Sequence, residues 1–165
     1  MLQKLVVIIF TGMNKAKKLT IYNQLAGLKK DFGFGESKII SGKTLQWIGI
    51  LKSSPIGDEY KIKLTYQLGK NPNVFVLEPT PLKLAKGKTS LPHVYDQKKQ
   101  KLCLYYTDWK EWNSSKSIAQ TVMIWAIEWL YHYELWLITG DWLGGGTVHG
   151  ATKKDIIENE TKNTI

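Results

Sequence analysis

At 165 residues the chain has the length of a single domain, enough to bury roughly 70% of its unfolded surface around one core. Its make-up of 43% hydrophobic, 22% charged and 12% aromatic residues excludes wholesale disorder and collagen-like order. A lone cysteine excludes an internal disulfide framework and a zinc site built from several thiolates. The net charge of +9 suggests an anionic partner, but every basic residue is Lys and none is Arg. The planar fork that reads guanine bidentately is therefore missing, and specific nucleic-acid binding loses weight.

Leu5 to Phe10 is an apolar run of signal-peptide character but too short, with no small-residue cleavage site after it. It reads as an element end packed on the body or on a partner, or equally as a start-site extension. From Asn14 to Asp31, Leu19, Tyr22, Leu25 and Leu28 recur every three residues, which predicts an amphipathic helix capped by Asn14 and ended by Gly33 and Gly35. Thr44 to Leu51 and Glu59 to Leu68 are predicted strands joined through Ser53, Ser54, Pro55 and Gly57. In the second, Tyr60, Ile62, Leu64, Tyr66 and Leu68 alternate with Lys61, Lys63, Thr65 and Gln67, so one face packs and the other is wet. Val74 to Leu77 is a third short run before Pro79 and Pro81, giving a meander of at least three antiparallel strands.

Pro79 to Gln100, rich in Pro, Gly and Lys, is predicted to be irregular. Lys101 to Tyr105 is a short extended segment in which Leu102 and Leu104 share one side and Cys103 shares the other with Lys101 and Tyr105. Asn113 to Ser117 offers helix-capping side chains. Ile118, Val122, Trp125, Trp129 and Tyr133 then follow at helical spacing as far as Gly140. Glu128, His132 and Glu134 interrupt this apolar helix and would be costly in lipid, so it is expected to lie within a cytoplasmic protein rather than a membrane. Residues 1–150 are taken as one domain and 151–165 as a polar tail.

His93 stands ten residues before Cys103, which sits in Lys101-Leu102-Cys103-Leu104, and Trp112-Asn113-Ser114 leads into the long helix. With the order helix, meander, irregular stretch, His, Cys segment, Trp and helix, the chain resembles the ubiquitin-conjugating enzymes. In that family a His-Pro-Asn motif precedes the catalytic Cys by ten residues. The aromatic helix and the Trp142 to His149 segment resemble more closely the stand-alone conjugating enzymes of CBASS antiphage operons. The resemblance implies an α+β ubiquitin-conjugating-like fold with an N-terminal helix, an antiparallel meander sheet and a long C-terminal aromatic helix. It implies a Cys103 thioester with the C-terminal glycine of a partner, a cGAS-like nucleotidyltransferase, formed with or without an upstream activating enzyme. No cofactor, membrane or specific nucleic acid is implied.

The residues themselves allow the same chemistry. Acyl transfer needs an accessible thiol, a donor for the oxyanion and a route for the incoming nucleophile. Cys103 supplies the thiol, and Lys98, Lys99 and Lys101 would favour its thiolate if they approach it. His93 is either a general base or a structural imidazole that holds the loop. His93-Val94-Tyr95 replaces His-Pro-Asn, so Tyr95, Asn113 or a backbone N–H would have to serve the oxyanion, and Tyr95 could equally be core. Asp96 and Asp108 flank the segment as candidates to orient an amine, or as solvated loop carboxylates. The candidate catalytic set is Cys103, His93, Tyr95 and Asp108. Gly144 to Gly146 with His149 form a second constellation, suited to close backbone approach or to an ordinary turn. The rival functions are a catalytically silent partner-binding variant and a nonspecific nucleic-acid-binding module. The scattered His93, His132 and His149 give no metal pattern.

Overall fold

The computed structural model describes residues 17–106 and 111–145. Thr20 opens the first helix, α1 (Ile21–Asp31), through a capping box. Its hydroxyl accepts from the Asn23 amide at 3.1 Å, and the Asn23 side chain accepts from the Thr20 amide at 3.0 Å. Two donors orphaned at the helix start are thereby satisfied. This corrects the expected cap at Asn14, which lies outside the described residues: the helix starts at Ile21. Its buried stripe is Ile21, Gln24 and Leu28, and Tyr22 faces solvent.

A four-stranded antiparallel meander follows: β1 (Glu36–Ile40), β2 (Thr44–Leu51), β3 (Tyr60–Gln67) and β4 (Asn73–Glu78). β1 was not expected, because its sequence alternates weakly and none of its residues is fully buried. Two short strands, β5 (Val94–Asp96) and β6 (Lys101–Leu102), extend the sheet beyond β4 in the order β1-β2-β3-β4-β6-β5. The stretch expected to be wholly irregular thus contains a strand, whereas the extended segment expected to reach Tyr105 keeps ladder pairing only to Leu102.

Period-two alternation collects Leu45, Trp47 and Leu51 of β2, Tyr60, Ile62, Leu64 and Tyr66 of β3, and Val74 and Val76 of β4 on one buried face. Leu68 falls beyond the strand end and is exposed. The opposite face is wet, and the Lys63 ammonium there sits 5.1 Å from the ring of its cross-strand neighbour Phe75.

Trp47 locks α1 to this sheet. It is fully buried, donates from Nε1 to the Phe32 carbonyl at 3.0 Å, and meets the Phe32 and Phe34 rings edge-on. Helix α1 ends at Asp31, where the Phe32 amide donates to the Leu28 carbonyl at 2.8 Å. Gly35 therefore does more than end a helix. A Cβ at Gly35 would lie 2.4 Å from the indole, and one at Gly49 2.6 Å from it.

The second helix, α2 (Val122–Thr139), starts later than its sequence periodicity suggested. The Asn113–Ser117 cluster builds turns instead: Asn113 Oδ1 accepts from the Ser115 amide at 3.0 Å and from its hydroxyl at 2.6 Å. Thr121 provides no side-chain cap. The approach to α2 is held from α1, where the buried Gln24 amide accepts from Ile118 N at 2.8 Å and donates to Lys116 O at 2.9 Å. Gly140, at φ 77°, ends α2 as expected.

Tyr133 of α2 packs edge-on against Tyr60 at 6.0 Å, so both helices cover the buried face of the sheet. The Glu134 carboxylate binds the Ser53 hydroxyl and the Asp58 amide, fastening the β2–β3 loop to α2. The fold is α+β, the E2-like arrangement expected, and no helix among the described residues is long and apolar enough to cross a membrane. The proposed tail, 151–165, lies outside the described residues.

Two alanine substitutions separate these glycine roles in urea unfolding. Gly49→Ala drives a methyl into a buried ring and is expected to lose about 1–3 kcal/mol. Gly27→Ala, whose Cβ would make ordinary contacts at 3.6 and 3.8 Å inside α1, is expected to gain about 0.5–1 kcal/mol. Equal midpoints for the two variants would mean that Trp47 is not packed as described.

Candidate active site

The site is built on the arch from β5 to β6. Asp96 caps its turn, with Oδ1 accepting from the Lys99 amide at 2.8 Å and the carboxylate 3.8 Å from the Lys99 ammonium. The strands pair Val94 with Leu102 and Asp96 with Lys101. His93, just before β5, has φ 46°. This left-handed conformation is strained for a side chain other than glycine, at about 1–3 kcal/mol. Its carbonyl there accepts two donors, Cys103 N at 3.0 Å and Trp129 Nε1 at 2.9 Å. Each such bond contributes about 1 kcal/mol net. The ten-residue spacing is thus the length of chain that leaves His93, turns, and returns to pair with it.

Two glutamines brace the arch. Gln100 is almost fully buried and replaces a strand of peptide groups: Nε2 donates to the Val76 and Pro79 carbonyls, each at 3.0 Å, and Oε1 accepts from Leu82 N at 2.5 Å. Gln97 likewise holds Leu91, donating to its carbonyl and accepting from its amide at 2.8 Å each. Nothing in the sequence singles these glutamines out from exposed ones.

Cys103 is half-buried. Burial pushes its thiol above the ordinary cysteine range, a hydrogen bond with Tyr95 pulls it back, the Glu111 charge pushes it up and Lys101 pulls it down. Of Lys98, Lys99 and Lys101, it is Lys101 whose charge acts on the thiol, and the net effect is a neutral thiol rather than a stabilised thiolate. Tyr95 is partly exposed, and burial together with its bond to Cys103 pushes its hydroxyl above the usual phenol range. The hydroxyl stays protonated and donates to the Tyr105 carbonyl at 2.8 Å. Having one proton, it also stands where it can be drawn to the sulfur when that becomes anionic. The Lys101 ammonium lies 5.2 Å from the Tyr95 ring centre.

Tyr105 donates to the Pro72 carbonyl at 2.5 Å and packs at 5.6 Å on Trp125 of α2. An open cleft of about 230 Å³ lies beside the arch, lined by residues including Asn71, Asn73, Tyr95, Lys101 and Tyr105. Glu111 accepts from the Tyr106 amide at 2.7 Å, and its charge reaches Cys103. Sequence reading passed over it in favour of Asp108, which lies outside the described residues, as do Gly146 and His149. Asn113 is occupied by its turn with Ser115. The structure therefore gathers Cys103, the His93 backbone and Tyr95, and it ties Asp96 into the turn. No group of three or more His, Cys, Asp or Glu side chains among the described residues is arranged to hold a metal.

Two measurements check this geometry. The rate of Cys103 alkylation by iodoacetamide is expected to rise with pH through a midpoint above the ordinary value of about 8.5. Glu111→Gln, by removing a negative charge, is expected to lower that midpoint, and Lys101→Ala to raise it. Gln100→Leu leaves three backbone groups unpaired and is expected to lose at least about 2 kcal/mol in urea unfolding; a neutral result would contradict the bracing role.

A family model described as the Type II CBASS E2 protein matches residues 24–150, a span that includes all six strands, α2 and Cys103. No curated protein matches the sequence.

Proposed function

The chain belongs to the Type II CBASS E2 family and so has a conjugating-enzyme-like part in CBASS antiviral defence, and from that membership we propose that it is an acyltransferase working through a Cys103 thioester. The observation that carries the reading is the half-buried Cys103 held by its own amide to the His93 carbonyl, with the Tyr95 hydroxyl near enough to pull the thiol's pKa down.

In the proposed reaction the Cys103 sulfur attacks the activated carbonyl of a partner's C-terminal glycine. The thiol proton leaves as the carbon–sulfur bond forms, the activating group departs, and a thioester remains. An incoming nucleophile then attacks that carbonyl and releases the Cys103 thiol. The partner is a cGAS-like nucleotidyltransferase. Tyr95 takes the place of the absent asparagine as hydrogen-bond donor to the developing oxyanion. His93 acts as a structural residue, through its carbonyl. Asp108 and Glu111 orient an incoming amine, Glu111 being supported by its electrostatic reach to the sulfur.

The neutral thiol fits this chemistry. A thiol that is not deprotonated in the resting state resists adventitious oxidation, and its thiolate, once formed, is intrinsically more nucleophilic than one with a low pKa. The proton must therefore be removed during attack, so the proposed transfer is expected to accelerate with rising pH.

Incubation with the partner synthase carrying an activated C-terminal glycine, followed by gels with and without reductant, tests the proposal. A reductant-labile adduct is expected from the native protein and none from Cys103→Ala. Tyr95→Phe is expected to slow transfer by about 100-fold, the scale of losing one oxyanion donor. A complex that is unchanged by Cys103→Ala and never covalent would replace the transferase with a binding protein. Salt-sensitive retention of DNA alone would replace it with a nucleic-acid-binding module.

A further inference from the structure

We propose that Trp142–Gly145, the segment after α2, is a strap that fixes the arch carrying Cys103, with Trp142 as a positioning residue that acts through His93 and Trp129. What that fixing is for rests on the transferase reading; that the strap holds the arch does not.

Trp142 is the meeting point of three rings. It stacks on His93 with centroids 4.9 Å apart and planes at 26°, and it packs against Trp129 at 5.7 Å and His132 at 5.8 Å. Two of these are the residues that define the arch: His93 supplies the carbonyl that binds the Cys103 amide, and Trp129 supplies the other donor to that carbonyl. Trp142 thus packs on the residue whose carbonyl seats Cys103 and on the indole that donates to the same carbonyl. Aromatic pairs of this kind contribute about 0.5–1.5 kcal/mol each beyond the area they bury, comparable with the strain at His93. Stacking rather than hydrogen bonding holds the strap, since Trp142 Nε1 and His132 Nδ1 are buried without hydrogen-bond partners among the described residues.

The glycines give the strap its approach. A Cβ on Gly144 would lie 2.8 Å from the His132 ring and 2.8 Å from Trp142 Nε1, so only glycine lets the backbone press against both. A Cβ on Gly145 would meet nothing within 4 Å. The two neighbours therefore separate a required glycine from an incidental one. Trp142→Phe keeps a stacking ring and serves as the conservative variant.

Hydrogen exchange of backbone amides in the full-length protein tests the strap, with the Cys103 amide compared against the central amides of β3. In Trp142→Ala and Gly144→Ala the Cys103 amide is expected to lose about tenfold in protection while the β3 amides keep theirs, the pattern of local rather than global opening. Trp142→Phe and Gly145→Ala are expected to stay within about twofold of the native protein on the same scale. In the loosened variants the iodoacetamide profile of Cys103 is expected to move to lower pH, because the sulfur gains water, whereas adduct formation with the partner falls. Unchanged Cys103 protection in Trp142→Ala, or an equal loss at Cys103 and β3, would overturn the strap. No adduct from the native protein, together with the selective loss in Trp142→Ala, would overturn the transferase reading and leave the strap standing.

Discussion

A single backbone oxygen organises this site. The His93 carbonyl accepts the Cys103 amide from one side and the Trp129 indole from the other, so it joins the thiol-bearing strand to the long helix through one acceptor. His93 presents that carbonyl from the left-handed region, at φ 46°. The surroundings over-determine that strained conformation: the ring of His93 is stacked on Trp142, the following residue enters the ladder opposite Leu102, and Gln97 and Gln100 hold the chain on either side. Strain that persists under such reinforcement is a mark of functional positions.

From that constraint comes the chemistry of the sulfur. The arch places Cys103 half out of water, which disfavours the thiolate, and surrounds it with one hydrogen-bonding phenol and two opposed charges. None of the three reverses the effect of burial. The result is a thiol held in its neutral form beside a hydroxyl that donates to the Tyr105 carbonyl. A donor that already exists at the place where negative charge develops requires little reorganisation when it does so, which is the physical basis of electrostatic preorganisation. In the proposed reaction, a phenol in place of an asparagine amide changes the donor and its reach but preserves that logic.

The sheet and helices serve the arch from behind. Trp47 anchors α1, Gln24 of α1 holds the turn before α2, and α2 presents Trp129 to His93. Much of this framework is legible in the sequence. The alternation of Tyr60 to Tyr66, the helical spacing from Val122 to Tyr133 and the stop at Gly140 report directly on burial and on backbone freedom. Other elements escape because their signals are short or shared. β1 carries too few apolar residues to show a period. Asn113 looks like a helix cap because the residue types that cap helices are also those that make turns. Gly35 looks like a helix breaker, although the Trp47 indole is what excludes a side chain there and at Gly49 in its own strand.

What the sequence determined by itself was the α+β class, the wet and dry faces of the hairpin, and the presence of a histidine ten residues before the one cysteine, since periodicity and spacing are properties of the chain as written. Only the tertiary structure decided that this histidine holds the cysteine by its carbonyl, that Gln100 is a buried brace, that Glu111 rather than the nearby lysines dominates the charge at the sulfur after Tyr95, and that Trp142 covers the arch. Each of these depends on which groups meet across long stretches of chain and on how far water is excluded where they meet, and residue type and spacing encode neither.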